Sequence, residues 1–263
     1  PRFFGFVLGG GLPAAVAADW LTSVWDQNSP FAGITPAPAV AERVAGEWLI
    51  ELFGLPAGSS VGFTTGATVA NFVGLAAGRH AALARAGWDV ERDGLQGDAP
   101  QLTVIAGDDA HVTLFHALRL LGLGSGRVRR VAVDDQGRMR TDALREVVVG
   151  VDGPAIVCLQ AGNVNSGAFD PLADAIAIIR EHLPQAWIHV DSAFGLWATV
   201  SPSRRGLAAG IAAADSWSTD AHKWLNVPFD SGLIFVRDRT AHGAAMAITA
   251  SYLLSDEEHL RDP

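Results

Sequence analysis

From residue 100 onward, short and mostly apolar runs alternate with stretches of helical periodicity, and few architectures accommodate that rhythm. Residues 102–106, 128–133, 155–160, 187–190 and 233–236 read as strands, and residues 111–121, 141–149 and 172–182 as helices. Strands of this kind, alternating with helices, predict an α/β domain with a largely parallel sheet covered on both faces. In such sheets ligands bind beyond the carboxyl ends of the strands. The residues that follow each run are therefore the candidates for chemistry.

Those residues are Asp108-Asp109-Ala110-His111 after the first run and Ala161-Gly162-Asn163-Val164-Asn165-Ser166-Gly167 after the third. Asp191-Ser192-Ala193-Phe194-Gly195 follow the fourth, and a further run at Ser216 and Trp217 leads to His222 and Lys223. Lys223 is the only lysine in a chain with 18 arginines. Arginine evidently serves wherever a positive charge is enough. An amine differs in that it can lose its proton and attack a carbonyl, which a guanidinium does not do. The chemistry that needs such an amine is Schiff-base formation with a carbonyl substrate or with pyridoxal phosphate. The alternative is a surface lysine kept by chance. Its place between His222 and Trp224, just before the apolar run 231–237, favours a chemical role.

Upstream, residues 62–78 pass from a turn of small and hydroxyl-bearing residues into an amphipathic helix. A helix start of this kind offers backbone N–H groups and a favourable dipole to an anion, so Gly66, Ala67 and Thr68 form a candidate phosphate cradle. An ordinary N-cap at Thr65 or Thr68 explains the same residues, and the pattern is neither a Walker loop nor a dinucleotide fingerprint. Residues 13–25 and 41–53 are Ala-rich with helical spacing, separated by the turn-rich 26–38. Residues 1–12, aromatic and Gly-rich, are expected to be irregular and to lie against another surface.

Composition excludes several classes. With 49% apolar and 18% charged residues the 263-residue chain is a folded one. A net charge of −9 and the absence of long basic runs argue against nucleic acid as a partner. Cys158, the single cysteine, lies in an apolar run and is expected in the core, with no disulfide or thiolate zinc site, which fits a reducing, cytoplasmic setting. No apolar run reaches the roughly 20 residues of a membrane span. A start at Pro1 without Met and a stop at Pro263 lead us to expect a fragment.

An acid and an imidazole at strand ends, a hydroxyl-bearing helix start and a lone lysine are the parts of a pyridoxal phosphate site. Lys223 would hold the aldehyde, Asp191 would pair with the ring nitrogen, Gly66, Ala67 and Thr68 would receive the phosphate, and His111 would lie over the ring. Singly, Asp191 also suits a helix N-cap or a metal ligand, and His111 a structural role. His189, two residues before Asp191, is expected to point away from the ligand. Zinc competes for the histidines, but none of the eight shows His-x-x-x-His spacing with a carboxylate, so no metal site is expected.

His189-Val190-Asp191-Ser192-Ala193, followed by Asp220-Ala221-His222-Lys223-Trp224-Leu225, resembles the pyridoxal-dependent decarboxylase family that includes aromatic-L-amino-acid, histidine and glutamate decarboxylases. Pro1-Arg-Phe-Phe-Gly5, Thr65-Gly-Ala-Thr-Val-Ala-Asn71 and His111-Val-Thr113 with Leu121-Gly-Leu123 fall in the family's order, so the resemblance covers essentially the whole chain. It implies a fold-type I large domain: an N-terminal helical segment over 1–55 packed on a cofactor-binding domain over 56–263, with the C-terminal small domain missing. It also implies pyridoxal phosphate as cofactor, an L-amino acid, aromatic or related, as substrate, and a homodimer. Lys223 resembles the imine lysine, His222 a phosphate contact, Asp191 the partner of the pyridine nitrogen, Ala193 a residue packed against the ring and His111 the stacking imidazole. Ala67 and Thr68 match phosphate-binding positions.

The chain departs from the family at three places. Gly162-Asn163-Val164-Asn165 replaces a common Gly-Thr-Thr turn, making Asn163 the candidate contact there. Asp220 stands where Asn is common and His116 where Lys is common. The family's mobile loop with its proton-donating tyrosine would follow Pro263, and Tyr252 falls before it. Decarboxylation is the expected reaction. The alternatives are an aminotransferase, a desulfurase, an aldehyde-forming decarboxylase, or a pyridoxal-fold fragment without catalysis.

Overall fold

One sheet organises the computed structural model, which describes residues 6–27 and 35–248. Its strands are β1 (Ser60–Thr64), β2 (Thr103–Gly107), β3 (Arg129–Val131), β4 (Ala155–Gln160), β5 (Trp187–Asp191), β6 (Ser216–Asp220) and β7 (Gly232–Val236). They lie in the order β1-β7-β6-β5-β4-β2-β3. Strands β2 to β6 pair in parallel, whereas β7 runs antiparallel to both of its neighbours, β1 and β6.

Alternation within the strands explains why both faces are covered. In β4, Ile156 and Cys158 point to one core while Val157 and Leu159 point to the other. The first core takes helices α3 (Ala67–Arg85), α5 (Val112–Leu120) and α9 (Arg239–Met246) against Val104, Ile156, Trp187 and Ile234. The second takes α6 (Thr141–Val149), α7 (Leu172–His182) and the end of α2 (Pro36–Phe53) against Ile105, Val157, Ile188, Trp217 and Phe235. Each large apolar side chain fully buried here contributes roughly 1.5–3 kcal/mol. The remaining helices are α1 (Pro13–Trp25) and two single turns, α4 (Val90–Asp93) and α8 (Ala221–Trp224). Among the described residues no helix is long and apolar enough to cross a membrane.

Helix α3 lies unusually near the sheet because it has glycine where it touches it. A Cβ at Gly78 would fall 2.6 Å from Cδ1 of Trp187, and one at Gly74 would fall 2.9 Å from Nδ1 of His189. By contrast α1 buries none of its residues.

The expected helices 141–149 and 172–182 and the expected strand 155–160 coincide with α6, α7 and β4. The other expected elements from residue 100 onward end within two residues of those observed. Helix α2 begins at Pro36 inside the stretch read as turn-rich, since proline suits the first turn of a helix. Strand β1 occupies part of what was read as a turn before α3, and β6 extends the short run at Ser216 and Trp217 into a full strand.

Candidate active site

The sheet has its topological switch point at β2, since the next two strands in the chain, β3 and β4, lie on opposite sides of it. Side chains just past β2, β4, β5 and β6 therefore converge at one edge, where such sheets bind ligands. On the last parallel rungs Gln160 stands beside Asp191, and Asp191 beside Ser218.

Strand β6 ends at Asp220 and turns at once into α8, which places Lys223 one helical turn above it. Lys223 Nζ lies 2.9 Å from Asp220 Oδ2. The same amine lies 5.8 Å from the centre of the Phe194 ring. The other oxygen, Asp220 Oδ1, accepts the N–H of Ala67 at 2.6 Å and lies 3.6 Å from His222 Nε2. Asp220 thus joins the first turn of α3 to the lysine. His222 stacks on Phe229 with ring centres 3.8 Å apart and accepts the N–H of Ser231 at Nδ1, 3.2 Å away.

Gly66 occupies the N-cap of α3 with no side-chain cap, so neither Thr65 nor Thr68 caps that helix. The first-turn N–H groups lack intrahelical partners by construction, and that of Ala67 faces the Asp220–His222 corner. Glycine is required opposite as well: a Cβ at Gly232 would meet the backbone of Gly66 at 2.5 Å.

Asp191 is 5% exposed. Burial raises its pKa, while the charge of His111, the amide of Asn71, the N–H of Ala193 and the charge of Lys223 pull it back down. Asn71 Nδ2 donates to Asp191 Oδ2 at 3.1 Å, and Ala193 N to Oδ1 at 3.3 Å. His111 caps α5, its Nδ1 lying 2.8 Å from Thr113 Oγ1, and its backbone N–H donates to Gln160 Oε1 at 3.1 Å. Between these groups lies a cavity of about 10 Å³, lined in part by His111, Cys158, Gln160, Asp170 and Asp191, with room for about one water. Burial pushes the Cys158 thiol well above its ordinary range.

Lys223, His222, Gly66 and Ala67 are thus brought together around Asp220, and Asp191, Ala193 and His111 are set beside them. Thr68 follows in the same first turn of α3. Asn163 is turned into its own loop, where Oδ1 accepts from Asn165 N at 2.8 Å and Ser166 N at 3.3 Å. Its Nδ2 is buried without a partner.

His189 corrects the expectation that it points away. Residues two apart in a strand share a face, and its ring lies on the α3 side with Asp191, 2.9 Å from Asn71 Oδ1. Two residues of the site escaped the sequence reading. Asn71 is a polar residue inside the small-residue face of α3, and that misplaced polarity was the available signal. Asp170, just before Pro171, accepts from Met139 N and Gln160 N at 2.7 Å each. Burial raises its pKa to about 6 against the pull of those two N–H groups, and it clamps the loop beneath Gln160 and His111. Phe3, Phe4 and Tyr252 lie outside the described residues.

Known proteins resemble this chain in sequence and in fold. Rice tryptophan decarboxylase 1 (Oryza sativa subsp. japonica) is 31% identical over 270 residues, spanning 96% of this chain and 51% of that protein. The L-2,4-diaminobutyrate decarboxylase of Rhizobium meliloti (strain 1021) is 33% identical, over 94% of this chain and 48% of its own. The aromatic-L-amino-acid decarboxylase of Bacillus atrophaeus is 27% identical, over 99% and 52%. The chain therefore spans about half the length of the curated relatives it matches. Among solved structures, that of Oryza sativa TDC with PLP and tryptamine superposes with a TM-score of 0.85 at 28% identity, covering 98% of this chain and 54% of that one. Mouse CSAD in apo form gives 0.85 at 26% identity, with 98% and 54% covered. The sequence profile of the pyridoxal-dependent decarboxylase conserved domain matches residues 1–262. With that match running almost from end to end, and the fold agreeing with it, the chain belongs to the pyridoxal-dependent decarboxylase family.

Proposed function

We propose that this chain is the cofactor-binding part of a pyridoxal phosphate enzyme that releases CO₂ from an L-amino acid, aromatic or related. The observation that carries the reading is Lys223. It is the chain's only lysine, it stands at the carboxyl end of β6, and its charge is felt at the buried Asp191 of the adjacent strand. The relatives support an L-amino acid as substrate, since their names specify tryptophan, aromatic L-amino acids and the aliphatic L-2,4-diaminobutyrate.

The residues present fit the cofactor. A buried carboxylate that only accepts hydrogen bonds suits a protonated ring nitrogen, and an unacylated amine suits an aldehyde. The start of α3, with Gly66 beside His222 and with Ala67 and Thr68 in its first turn, suits a phosphate. Asp220 already engages the Ala67 N–H, so the remaining first-turn amides would take the larger share of that contact. Asn163 Nδ2, a buried donor without a partner, remains available to a bound group.

When bound, the cofactor supplies a conjugated ring that takes up the electron pair released as the Cα–carboxylate bond breaks. Lys223 would hold the aldehyde carbon through Nζ, and Asp220 fixes that amine at the strand end. Asp191 would keep a proton on the ring nitrogen, because a neighbouring carboxylate favours the charged form. His111, held by Thr113 and Gln160, would cover one ring face and Ala193 the other. A homodimer suits the exposed Trp20 and Trp25 of α1, and a cytoplasmic setting suits the buried free thiol of Cys158.

Borohydride reduction of the full-length protein, loaded with pyridoxal phosphate and mapped by peptide mass, should place the pyridoxyl group on Lys223. The loaded protein should release amine from an aromatic L-amino acid, and Lys223→Arg should do neither. Recovery of an unmodified Lys223 peptide from a yellow, reduced sample would sink the reading.

A further inference from the structure

We infer that Asn71 and His189 are positioning residues for Asp191, held in a single orientation by a buried hydrogen-bond chain that runs from Trp187 to the carboxylate. The inference rests on the reading of Asp191 as the partner of the ring nitrogen. It comes from counting donors and acceptors.

The chain has a fixed polarity at each end. The indole of Trp187 can only donate, and Nε1 does so to Ser216 Oγ at 2.9 Å. An ionised carboxylate can only accept, so Asn71 turns Nδ2 toward Asp191 Oδ2, 3.1 Å away. That leaves Asn71 Oδ1 as an acceptor, and it receives the hydroxyl of Ser218 at 2.6 Å and the ring of His189, through Nε2, at 2.9 Å. A neutral imidazole that donates at Nε2 accepts at Nδ1. Ser216 fills that role, its hydroxyl 2.8 Å from His189 Nδ1. Each contact in the set then joins one donor to one acceptor, and only the second N–H of Asn71 falls outside it.

The reverse orientation does not close. Were Asn71 flipped to face a protonated Asp191, Ser218 would have to accept from Nδ2, and His189 would accept at Nε2 and donate at Nδ1. Ser216 would then take two donors, from His189 and Trp187, and its own proton would find no acceptor within the set. Asn71, His189, Ser216 and Ser218 are all fully buried, so no bulk water repairs the loss. The direction that leaves no hydroxyl of the set without an acceptor is the one in which Asn71 donates to Asp191 Oδ2.

The other titratable groups near Asp191 are His111 at the start of α5, Lys223 on α8, Cys158 on β4 and His189 on its own strand. None of them makes the side-chain hydrogen bond to Oδ2 that Asn71 makes. Burial holds the imidazole of His189 neutral, with a pKa lowered to about 3, as the chain requires.

Two measurements on the full-length protein test this. In the cofactor-free protein labelled with ¹⁵N-histidine, one ring, assigned by its loss in His189→Gln, should show the Nε2–H tautomer and should not titrate between about pH 5 and 8. An Nδ1–H ring, or one that titrates in that range, overturns the inference without recourse to any activity.

In the loaded protein, His189→Phe removes both ring hydrogen bonds at similar volume. It should lower kcat about 10- to 100-fold, with KM and cofactor affinity within about twofold of the parent. His189→Gln, which keeps one donor and one acceptor, should recover most of that loss. A His189→Phe protein as active as the parent, with normal loading of Lys223, defeats this inference alone. Failure of the parent to load Lys223 at all defeats the functional reading, and the catalytic half of this inference with it.

Discussion

Helices α1 and α3 look alike in sequence, both rich in alanine and both largely apolar, yet α3 buries twelve of its residues and α1 none. The difference lies in shape rather than hydrophobicity. Along α3, glycine and alanine at the contact face let the backbone approach β5 and β7, and the helix carries Asn71 into the site. Along α1, Trp20, Leu21, Val24 and Trp25 face outward, with Trp20 69% exposed. A cavity of about 320 Å³, lined in part by Ala15, Asp19, Leu49, Phe63 and Pro228, separates α1 from the body of the molecule. What holds α1 is a strap at its start. Gly9 N donates to His222 O at 3.3 Å, Leu12 N to Asn226 O at 2.8 Å, and the Asn226 side chain donates to Gly9 O. The helix that packs least is thus tied to α8, which carries Lys223, and to the loop that follows it.

The contrast can be broken most forcefully at Gly78. Gly78→Val forces methyl groups into the Trp187 ring and should cost about 3 kcal/mol, read as a lower midpoint in urea. A loss under about 1 kcal/mol would mean that α3 slides off the sheet freely.

The next effect is that of pH, and it belongs to the surroundings of α3 and the loop beside it. Burial lowers the pKa of His189 to about 3 and of His242 to about 4, both from 6.5. With the folded value depressed, the stability these rings contribute is complete above about pH 6.5 and is lost as pH falls toward 4. Asp170 acts oppositely: raised from 3.8 to about 6, its contribution is present below pH 3.8 and lost as pH rises through about 6. Between about pH 6.5 and 4 the two imidazoles therefore pull stability down, while Asp170 and Asp191, whose pKa burial also raises, pull it up. His242→Gln should flatten that profile and Asp170→Asn should steepen it. A profile indifferent to both changes would contradict this account.

Gly9→Ala addresses the strap. A Cβ there would lie 1.9 Å from Lys223 O, so the strap has to lift. Cofactor affinity of the full-length protein should fall about tenfold, equivalent to 1.4 kcal/mol. Its melting temperature should stay unchanged. If affinity holds and the melt drops instead, the strap serves stability and not the site.

The smallest effect is expected on α1 itself. Trp20→Ser with Trp25→Ser should change unfolding free energy by less than about 0.5 kcal/mol, as surface substitutions do, while altering self-association seen by light scattering. A large loss of monomer stability would show that α1 is packed after all.

These contrasts also explain what the sequence discloses. Strand β4 is legible because it is buried on both faces, which leaves the unbroken apolar run 155–159. Lys223 is legible because it is unique, and Asp191 because an acid ends such a run. Strand β6 is far less so. Ser216, Ser218 and Asp220 make one of its faces polar, and the groups that answer them are Asn71, His189 and Ala67, too far away in the chain for any local window. The same distance hid the role of Asn71. For His189 the fault was in applying the strand period, since a spacing of two means the same face.

Strand β7 has a consequence in time. It is the sole sheet neighbour of β1 among the described residues, and it pairs Ser60 with Val236, 176 residues later. At ribosomal rates β1 waits about 9–35 s after its own synthesis before that partner exists. During the wait β6, too, has an open edge, and open edges are what wrong strands pair with. Contacts so distant in sequence also close slowly once they become possible. The strand that completes the sheet is therefore a late event in the life of the nascent chain, and a chain halted before residue 232 would present two unmatched strands to whatever protects it.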